Sequence, residues 1–270
     1  MTDAQLEKLV RFQDPGRSLG YVRTMDDQTR ATLFGTTVRE FLVAERELED
    51  SKRAAVESLG ARPDVRAALA AVPLRSGQTI VALGESSTAD RLSWFELLAG
   101  LLAAGRPDLD LNVRNLSVSG ATTTQTLAGI GQFARTGADW ILCMLGGNDA
   151  RRFDSAEGPR LVSEPETERN LRLIRRRAGG GRDVRWVWLT PTPVDEAKIA
   201  AYPYFAGITW TNRDVSALAG TLGGTGDLVV DSGPSVGVDE PFLEDGLHTT
   251  LAAQASLAAH VLAALASSRR

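Results

Sequence analysis

From about Gln78 onward, the chain alternates short apolar segments with longer amphipathic segments, and this alternation limits the choice of fold more than any other feature. The apolar segments have the length of strands, whereas the amphipathic segments carry apolar residues at helical spacing. Strands that alternate with helices pair in parallel through right-handed crossovers. The pattern therefore predicts an α/β fold, a three-layer α/β/α sandwich with a five-stranded parallel sheet.

The predicted strands and helices follow one another in a regular order. The strands are TIVALGE, LNVRNLSV, ADWILCMLG, VRWVWLTPTPV and DLVVD. The helices are WFELLAGLLAAG, TTTQTLAGIGQFA, ETERNLRLIRRRAGG, WTNRDVSALAGTLGG and TLAAQASLAAHVLAALASS. In such a sheet the ligand crevice lies beyond the carboxyl ends of the strands, so the residues directly after each strand are the first candidates for a site.

The first seventy-odd residues differ from the rest. The stretch that starts with DDQTR has apolar residues near helical spacing, which predicts one or two amphipathic helices ending near Gly60. A short helix is predicted with Pro63 near its start, and Pro15–Gly16 is expected to break an earlier segment. We divide the chain into an N-terminal helical extension, 1–76, and a main domain, 77–270. The extension's role stays open between packing, a lid and a homo-oligomer interface.

Composition argues against several classes of protein. The formal net charge of the 270 residues is −4, with acids and bases interspersed, so no nucleic-acid-binding surface is expected. No apolar stretch reaches the roughly 18 residues of a membrane span, and the N-terminal sequence lacks the apolar core of a signal peptide. We therefore expect a cytoplasmic protein. The single cysteine, Cys143, lies in an apolar run and is expected to be a buried hydrophobe.

Small and polar residues stand where the predicted strands end. Ser86, Gly120 and Asn148 follow the first three strands, and Asp245 and His248 stand just before the last helix. Each has an ordinary role alone, as a helix N-cap for the serine and as turn or surface residues for the others. Together they are the parts that acyl transfer needs: a nucleophile, a base with its orienting acid, and oxyanion donors.

The four blocks that carry these residues resemble the SGNH, or GDSL-type, hydrolase superfamily. LGESST resembles the first block, NLSVSGATT the second, LGGND the third and DGLH the last, from about Gln78 to the C-terminus. The resemblance implies the flavodoxin-like SGNH-hydrolase version of the sandwich. Glu85 is a departure, because the family usually has Asp there, and the support of the serine turn is thereby put in question.

The resemblance implies a serine esterase that cleaves small or medium acyl esters through an acyl-enzyme. Ser86 would attack the carbonyl, His248 would take its proton, and Asp245 would orient the imidazole. The N–H groups of Ser86 and Gly120 and the amide of Asn148 would form the oxyanion hole. Neither a metal nor a cofactor is required, and the expected partner is a small-molecule acyl ester.

Other interpretations of the same residues stay open. An acyltransferase, a carbohydrate deacetylase, a thioesterase and a lysophospholipase would use the same triad. A non-catalytic binding module on the same fold is an alternative of a different class. A one-residue shift would make Ser87 the nucleophile instead of Ser86.

Several further features allow two roles each. The basic run Arg175–Arg177 is suited to bind phosphate or to end a solvated helix, and His260 is expected on a packed or solvated helix face. An aromatic cluster is suited either to wall a pocket or to fill the core, and it comprises Tyr202, Tyr204, Phe205 and Trp210. The loops 151–165 and 194–209 carry no readable specificity pattern.

Overall fold

The computed structural model describes residues 2–19, 22 and 24–268. The helices are α1 (Asp3–Phe12), α2 (Pro15–Ser18), α3 (Asp27–Leu33), α4 (Val38–Ala61), α5 (Pro63–Ala71), α6 (Ser86–Ala89), α7 (Trp94–Gly105), α8 (Thr123–Ala128), α9 (Ile130–Ala134), α10 (Glu164–Arg177), α11 (Glu196–Ala201), α12 (Asn212–Gly223) and α13 (Leu251–Ser267). The strands are β1 (Thr79–Gly84), β2 (Asn112–Asn115), β3 (Trp140–Met144), β4 (Arg152–Phe153), β5 (Arg185–Leu189), β6 (Ile208–Thr209) and β7 (Leu228–Val230).

Five of these strands form one parallel sheet in the order β2-β1-β3-β5-β7. In the central pair, Ile80 lies opposite Trp140 and Gly84 lies opposite Met144. The chain winds outward in both directions from β1 and β3, so the topological switch point of the sheet lies between these two strands. The predicted five-stranded parallel sandwich is therefore confirmed.

Helices cover both faces of the sheet, and the alternation along β1 divides the core between them. Ile80 and Ala82 pack in the layer formed by α5, α7 and α13. Val81 and Leu83 pack in the opposite layer, with α10 and α12. All five residues of β3 are buried, because a central parallel strand is covered on both faces.

The N-terminal extension is helical and packs against the sandwich. A capping box of Thr37 and Glu40 begins α4, which packs on α7 and α13. Further along, α4 and α5 contribute Leu59 and Val65 to the same apolar cluster as the sheet. Helix α1 was not predicted from the sequence. It packs with α3 and α4 in a smaller apolar cluster that includes Phe41.

Two local expectations are corrected by the structure. The single helix predicted over TTTQTLAGIGQFA is two helices, because Gly129 ends α8 as its C-cap and α9 starts only after it. The chain does break between α1 and α2, but Pro15 itself begins α2, a position where its missing N–H costs no hydrogen bond.

The two loops without a readable pattern join each other beside the sheet. Strand β4 of the first loop pairs antiparallel with β6 of the second, and α11 lies within the second loop. Arg152 and Arg160 of the first loop both bind the buried carboxylate of Asp214 in α12. A two-residue strand gives no periodicity in the sequence, so this small sheet was not predictable from it.

Within the described ranges, no helix is both long enough and apolar enough to cross a membrane.

Gly84, the last residue of β1, lies where the packing of the sheet leaves no room for a side chain. A methyl group there would lie 2.6 Å from the Thr88 hydroxyl and 2.8 Å from the Met144 carbonyl oxygen. Because the β3 backbone cannot retreat, Gly84→Ala should lower the free energy of unfolding by about 1–3 kcal/mol. A methyl group at Gly220 in α12 would have no atom within 4 Å outside the backbone of its own helix. Gly220→Ala should therefore raise the free energy of unfolding by about 0.5–1 kcal/mol. Equal effects of the two variants in urea unfolding would contradict the packing described.

Candidate active site

Ser86 lies at the switch point of the sheet, as the first residue of the four-residue helix α6. The N-cap position belongs to Glu85, whose side chain makes no capping hydrogen bond. The N-cap role considered for Ser86 is therefore wrong, since the serine stands one residue inside the helix. Its amide N–H donates no hydrogen bond within the described part of the chain, as expected at a helix start.

Asp245 and His248 form a close pair in the turn before α13. Asp245 Oδ2 lies 2.8 Å from His248 Nδ1, and Oδ1 accepts the backbone N–H groups of Leu247 and His248. Gly246 has φ +68°, and a Cβ there would lie 2.5 Å from the Asp195 carbonyl oxygen, so the turn requires glycine. Burial opposes ionisation, but the contacts with His248 and Lys8 lower the pKa of Asp245 well below its ordinary value.

Gly120 has the left-handed backbone conformation that favours glycine, with φ +78°. Its N–H donates no hydrogen bond to any described residue. Gly120 borders a cavity of about 490 Å³, and Ser86, Asn148 and His248 do not line that cavity. The Gly120 amide is therefore free, but Gly120 does not line the same cleft as Ser86 and Asn148.

Asn148 follows β3 and reaches toward the serine segment. Its side-chain amide donates to Glu85 Oε2 at 2.8 Å and to the Ala121 carbonyl oxygen at 3.2 Å. Asn148 therefore links the turn after β1 to the turn that carries Gly120. Both amide protons are engaged in the free protein, so an oxyanion would have to share or replace one of these contacts.

Glu85, the departure from the family pattern, supports the turn after β3. Its carboxyl group accepts the backbone N–H groups of Gly147 and Asn148, both at 3.0 Å, and the Asn148 amide. A Cβ at position 147 would lie 2.5 Å from Glu85 Oε1, so a larger residue there would displace the Glu85 carboxyl group. Burial raises the pKa of Glu85 to about 8, although the three N–H donors favour its charged form. The longer acid thus makes hydrogen bonds that hold the asparagine block.

The neighbouring Asp149 holds the same block from the other side. Its carboxylate accepts the Thr123 backbone N–H at 2.8 Å and the hydroxyl groups of Thr123 and Thr167. These contacts tie the turn after β3 to α8 and α10. Burial raises the pKa of Asp149 above its ordinary value, against the effect of these hydrogen bonds.

Ser86 and Asn148 line one narrow cleft with a volume of about 30 Å³. Ser87 also lines this cleft, so the position of the serines in the cleft does not separate them. The rest of its wall is largely apolar and includes Met144, Pro191, Val194, Trp210, Val215 and Leu247. Among the described residues no hydrogen bond joins Ser86 to His248; catalytic hydrogen bonds of free enzymes often form fully only with substrate.

The aromatic cluster splits between two environments. Trp210 is buried, lines the cleft and donates its indole N–H to the Gly147 carbonyl oxygen at 3.1 Å. Tyr204 is 73% exposed, so neither a pocket wall nor the core explains it. Tyr202 packs edge to face against Phe205, and its hydroxyl group accepts a hydrogen bond from Lys8 of the N-terminal extension.

The contact between α1 and the candidate site was not predicted from the sequence. Lys8 Nζ lies 2.8 Å from Asp245 Oδ2, and the Phe12 ring packs on the His248 ring with centroids 4.4 Å apart. The capping box of Thr2 and Gln5 was a readable sign of the helix itself. No local signal indicates that its side chains face a turn more than 230 residues later.

The remaining candidate residues have ordinary environments. Arg175 makes two hydrogen bonds of 2.9 Å to Asp227, which fits a helix end held to a neighbouring strand. His260 is exposed on α13, and Cys143 is buried, which raises the pKa of its thiol. The described residues contain no group of three or more His, Cys, Asp and Glu side chains arranged to hold a metal ion.

Comparison with known proteins matches residues 81–255 to the model of the GDSL-like Lipase/Acylhydrolase family. A search of curated proteins finds no match. The fold is similar to the crystal structure of LAE5, an alpha/beta hydrolase enzyme from the metagenome of Lake Arreo, Spain. That similarity has a TM-score of 0.54 at 23% identity and covers 71% of this chain and 96% of that one.

The fold is also similar to Axe2, an acetylxylan esterase from Geobacillus stearothermophilus. The TM-score is 0.52 at 21% identity, and the match covers 71% of this chain and 95% of the esterase. Further matching structures are described as catalytic mutants of the same esterase, with a serine, an aspartate or a histidine replaced by alanine. At this identity the two likenesses establish the shared fold.

The buried carboxyl group of Glu85 should make stability depend on pH. The folded protein holds this proton up to about pH 8, whereas the unfolded chain releases it near the ordinary pKa of 4.5. The contribution of Glu85 to the free energy of unfolding is thus fully present below pH 4.5 and declines as pH rises toward 8. The stability gap between the native protein and Glu85→Ala should shrink over this range in urea unfolding.

The exposed Glu57 of α4 provides the matched control for this experiment. The stability gap between the native protein and Glu57→Ala should stay nearly constant over the same pH range. A constant gap for Glu85→Ala as well would show that the carboxyl group is ionised throughout.

Proposed function

Because the chain belongs to the GDSL-like lipase/acylhydrolase family, we propose that it hydrolyses esters of short acyl groups through an acyl-enzyme on Ser86. The observation that carries this assignment is the 2.8 Å contact between Asp245 and His248, in the turn that the family match includes. Ser86 fits the role of nucleophile because it begins a helix at the switch point of the sheet, where backbone amides favour negative charge.

The proposed mechanism depends on which nitrogen of His248 already has a hydrogen-bond partner. His248 Nδ1 faces Asp245, so Nε2 is the nitrogen left to take the proton from Ser86 Oγ. Oγ then bonds to the carbonyl carbon, and His248 returns the proton to the leaving alcohol as the ester C–O bond breaks. Water attacks the acyl carbon in the second half and loses a proton to His248. The bond from this carbon to Ser86 Oγ then breaks, Oγ takes the proton back from His248, and the carboxylic acid leaves.

The negative charge on the carbonyl oxygen needs donors that are free or can be redirected. The N–H groups of Ser86 and Gly120 have no partner among the described residues, so both are available. The Asn148 amide would add a third hydrogen bond by giving up its longer contact, the 3.2 Å bond to Ala121. Its bond to Glu85 would keep the amide oriented during this change.

The size of the cleft supports a short acyl group. Its volume is about 30 Å³, whereas one water molecule needs about 10–15 Å³. The apolar wall suits a methyl or ethyl group better than a polar substituent. The acetylxylan esterase of similar fold acts, by its description, on acetyl esters, which is consistent with a small acyl group here.

The first test concerns which serine is the nucleophile. Ser86→Ala should abolish hydrolysis of p-nitrophenyl acetate, because no other group would form the acyl-enzyme, and should leave the unfolding midpoint nearly unchanged. Ser87→Ala is the matched control, since it removes a hydroxyl group from the neighbouring serine. This variant should keep most of the activity. Unchanged turnover by Ser86→Ala would overturn the proposal, and loss only in Ser87→Ala would move the nucleophile by one residue.

The second test concerns acyl length. On p-nitrophenyl esters, kcat/KM should be highest for acetyl or propionyl and fall steeply for hexanoyl and octanoyl. Val215 lines the cleft, so Val215→Ala should shift the preference toward longer chains. Val43 is exposed on α4, and Val43→Ala should leave the profile unchanged. A native preference for octanoyl esters would show that the acyl chain does not occupy this cleft.

A further inference from the structure

Helix α1 lies outside the region matched by the family model, yet consecutive turns of it contact the candidate site. Leu6 and Val10 bury one side of the helix in the cluster with Phe41 of α4. The residues between and beside them, Lys8, Arg11 and Phe12, face the serine and histidine segments. One side of α1 is therefore held by apolar packing on α4, and the opposite side contacts the candidate site.

Arg11 connects the two halves of the site. Its guanidinium makes hydrogen bonds of 2.9 and 2.8 Å to the two oxygens of Asp90, just after the helix that begins with Ser86. The same guanidinium donates to the Thr249 carbonyl oxygen at 3.2 Å, next to His248. Arg11 and Asp90 are both buried, so breaking this pair would leave an uncompensated charge. This pair fixes α1 relative to both segments.

Lys8 contacts the acid of the proposed triad directly. Its ammonium group lies 2.8 Å from Asp245 Oδ2, the oxygen that also faces His248, and 2.8 Å from the Tyr202 hydroxyl. Since Oδ1 accepts two backbone N–H groups, both carboxylate oxygens are held by two partners each. Although burial opposes its charge, these hydrogen bonds raise the pKa of Lys8 above its ordinary value. The ammonium ion is thus a fixed charge beside the triad.

We propose that Lys8 is a positioning residue of this site, which holds the Asp245 carboxylate in the orientation that contacts His248 Nδ1. The inference rests on the proposed function of Ser86, Asp245 and His248. The physical reason is that Lys8 Nζ binds Oδ2, the same oxygen that faces His248, so the carboxylate cannot turn away from the imidazole without losing a charge-assisted hydrogen bond. The helical extension would thereby help to orient the base.

Two further side chains with acidic groups lie close to Lys8, those of Glu244 and Tyr202. The Glu244 carboxylate lies 3.9 Å from Lys8 Nζ, and its side chain is 75% exposed. Tyr202 contacts both Lys8 and Glu244 through its hydroxyl group. On α1, Arg11 is paired with Asp90, so its charge is compensated. Among the described lysines and arginines, Lys8 is therefore the one that forms an ion pair with Asp245.

The test compares kcat and KM for p-nitrophenyl acetate in the native protein and in Lys8→Met. In Lys8→Met, kcat should fall on the order of tenfold, because the Asp245 carboxylate and the imidazole that it orients lose their fixed position. KM should change much less, since Lys8 does not line the cleft. Lys8→Arg keeps the charge and should lie closer to the native kcat. Lys52→Met removes another ion-paired lysine, bound to Glu49, and should match the native protein.

The two proposals fail in distinguishable ways. Labelling of the native protein by a fluorophosphonate at a residue other than Ser86 would overturn the proposed function. Labelling at Ser86 together with an unchanged kcat in Lys8→Met would overturn the role of Lys8 alone. An equal loss of kcat in Lys8→Met and Lys8→Arg would also overturn it, because a variant that keeps the charge should keep the contact with Asp245. The unfolding midpoint of Lys8→Met should fall, because the Asp245 side chain is 1% exposed and loses a charged partner, so kcat is compared at a temperature at which both proteins are folded.

Discussion

The parallel pairing of β1 with β3 is the constraint on which the rest of the site depends. Gly84 and Met144, the last residues of the two strands, lie opposite each other. The turns that follow must therefore meet at one edge of the sheet. Glu85 bridges them by accepting three hydrogen bonds from Gly147 and Asn148. A shift in register would separate the serine block from the asparagine block.

Buried acids recur at the junctions of the site, and each one accepts hydrogen bonds from another segment of the chain. Glu85 holds the turn after β3, Asp149 ties that turn to α8 and α10, and Asp90 binds α1 through Arg11. Asp245 holds the histidine turn and meets Lys8. Burying a carboxyl group is costly unless its oxygens are satisfied. Backbone and side-chain donors satisfy the oxygens of these four acids. The segments that supply the donors are thereby held in one position.

The sandwich and the blocks of the site were predictable from the sequence because both depend on local patterns. β3 is apolar throughout because it is covered on both faces. Ser86, Gly120 and Asn148 were found by their places after strands, and Asp245 and His248 by their separation of three residues. The role of Glu85 was not predictable, since its partners are more than 60 residues away in the chain. The β4–β6 pair was missed because two-residue strands carry no period.

The sequence by itself determined that this chain forms a doubly wound sheet and which residue types follow its strands. These properties come from periodicity and turn chemistry, which act over a few residues. The tertiary structure alone decided what the N-terminal helices meet. A capping box and apolar spacing favour a helix at α1 through local contacts. Its place beside His248 comes from the buried pair of Arg11 and Asp90 and from apolar packing on α4. Contacts between segments so distant in the chain leave no local pattern, and so only the folded protein shows that Lys8 meets Asp245.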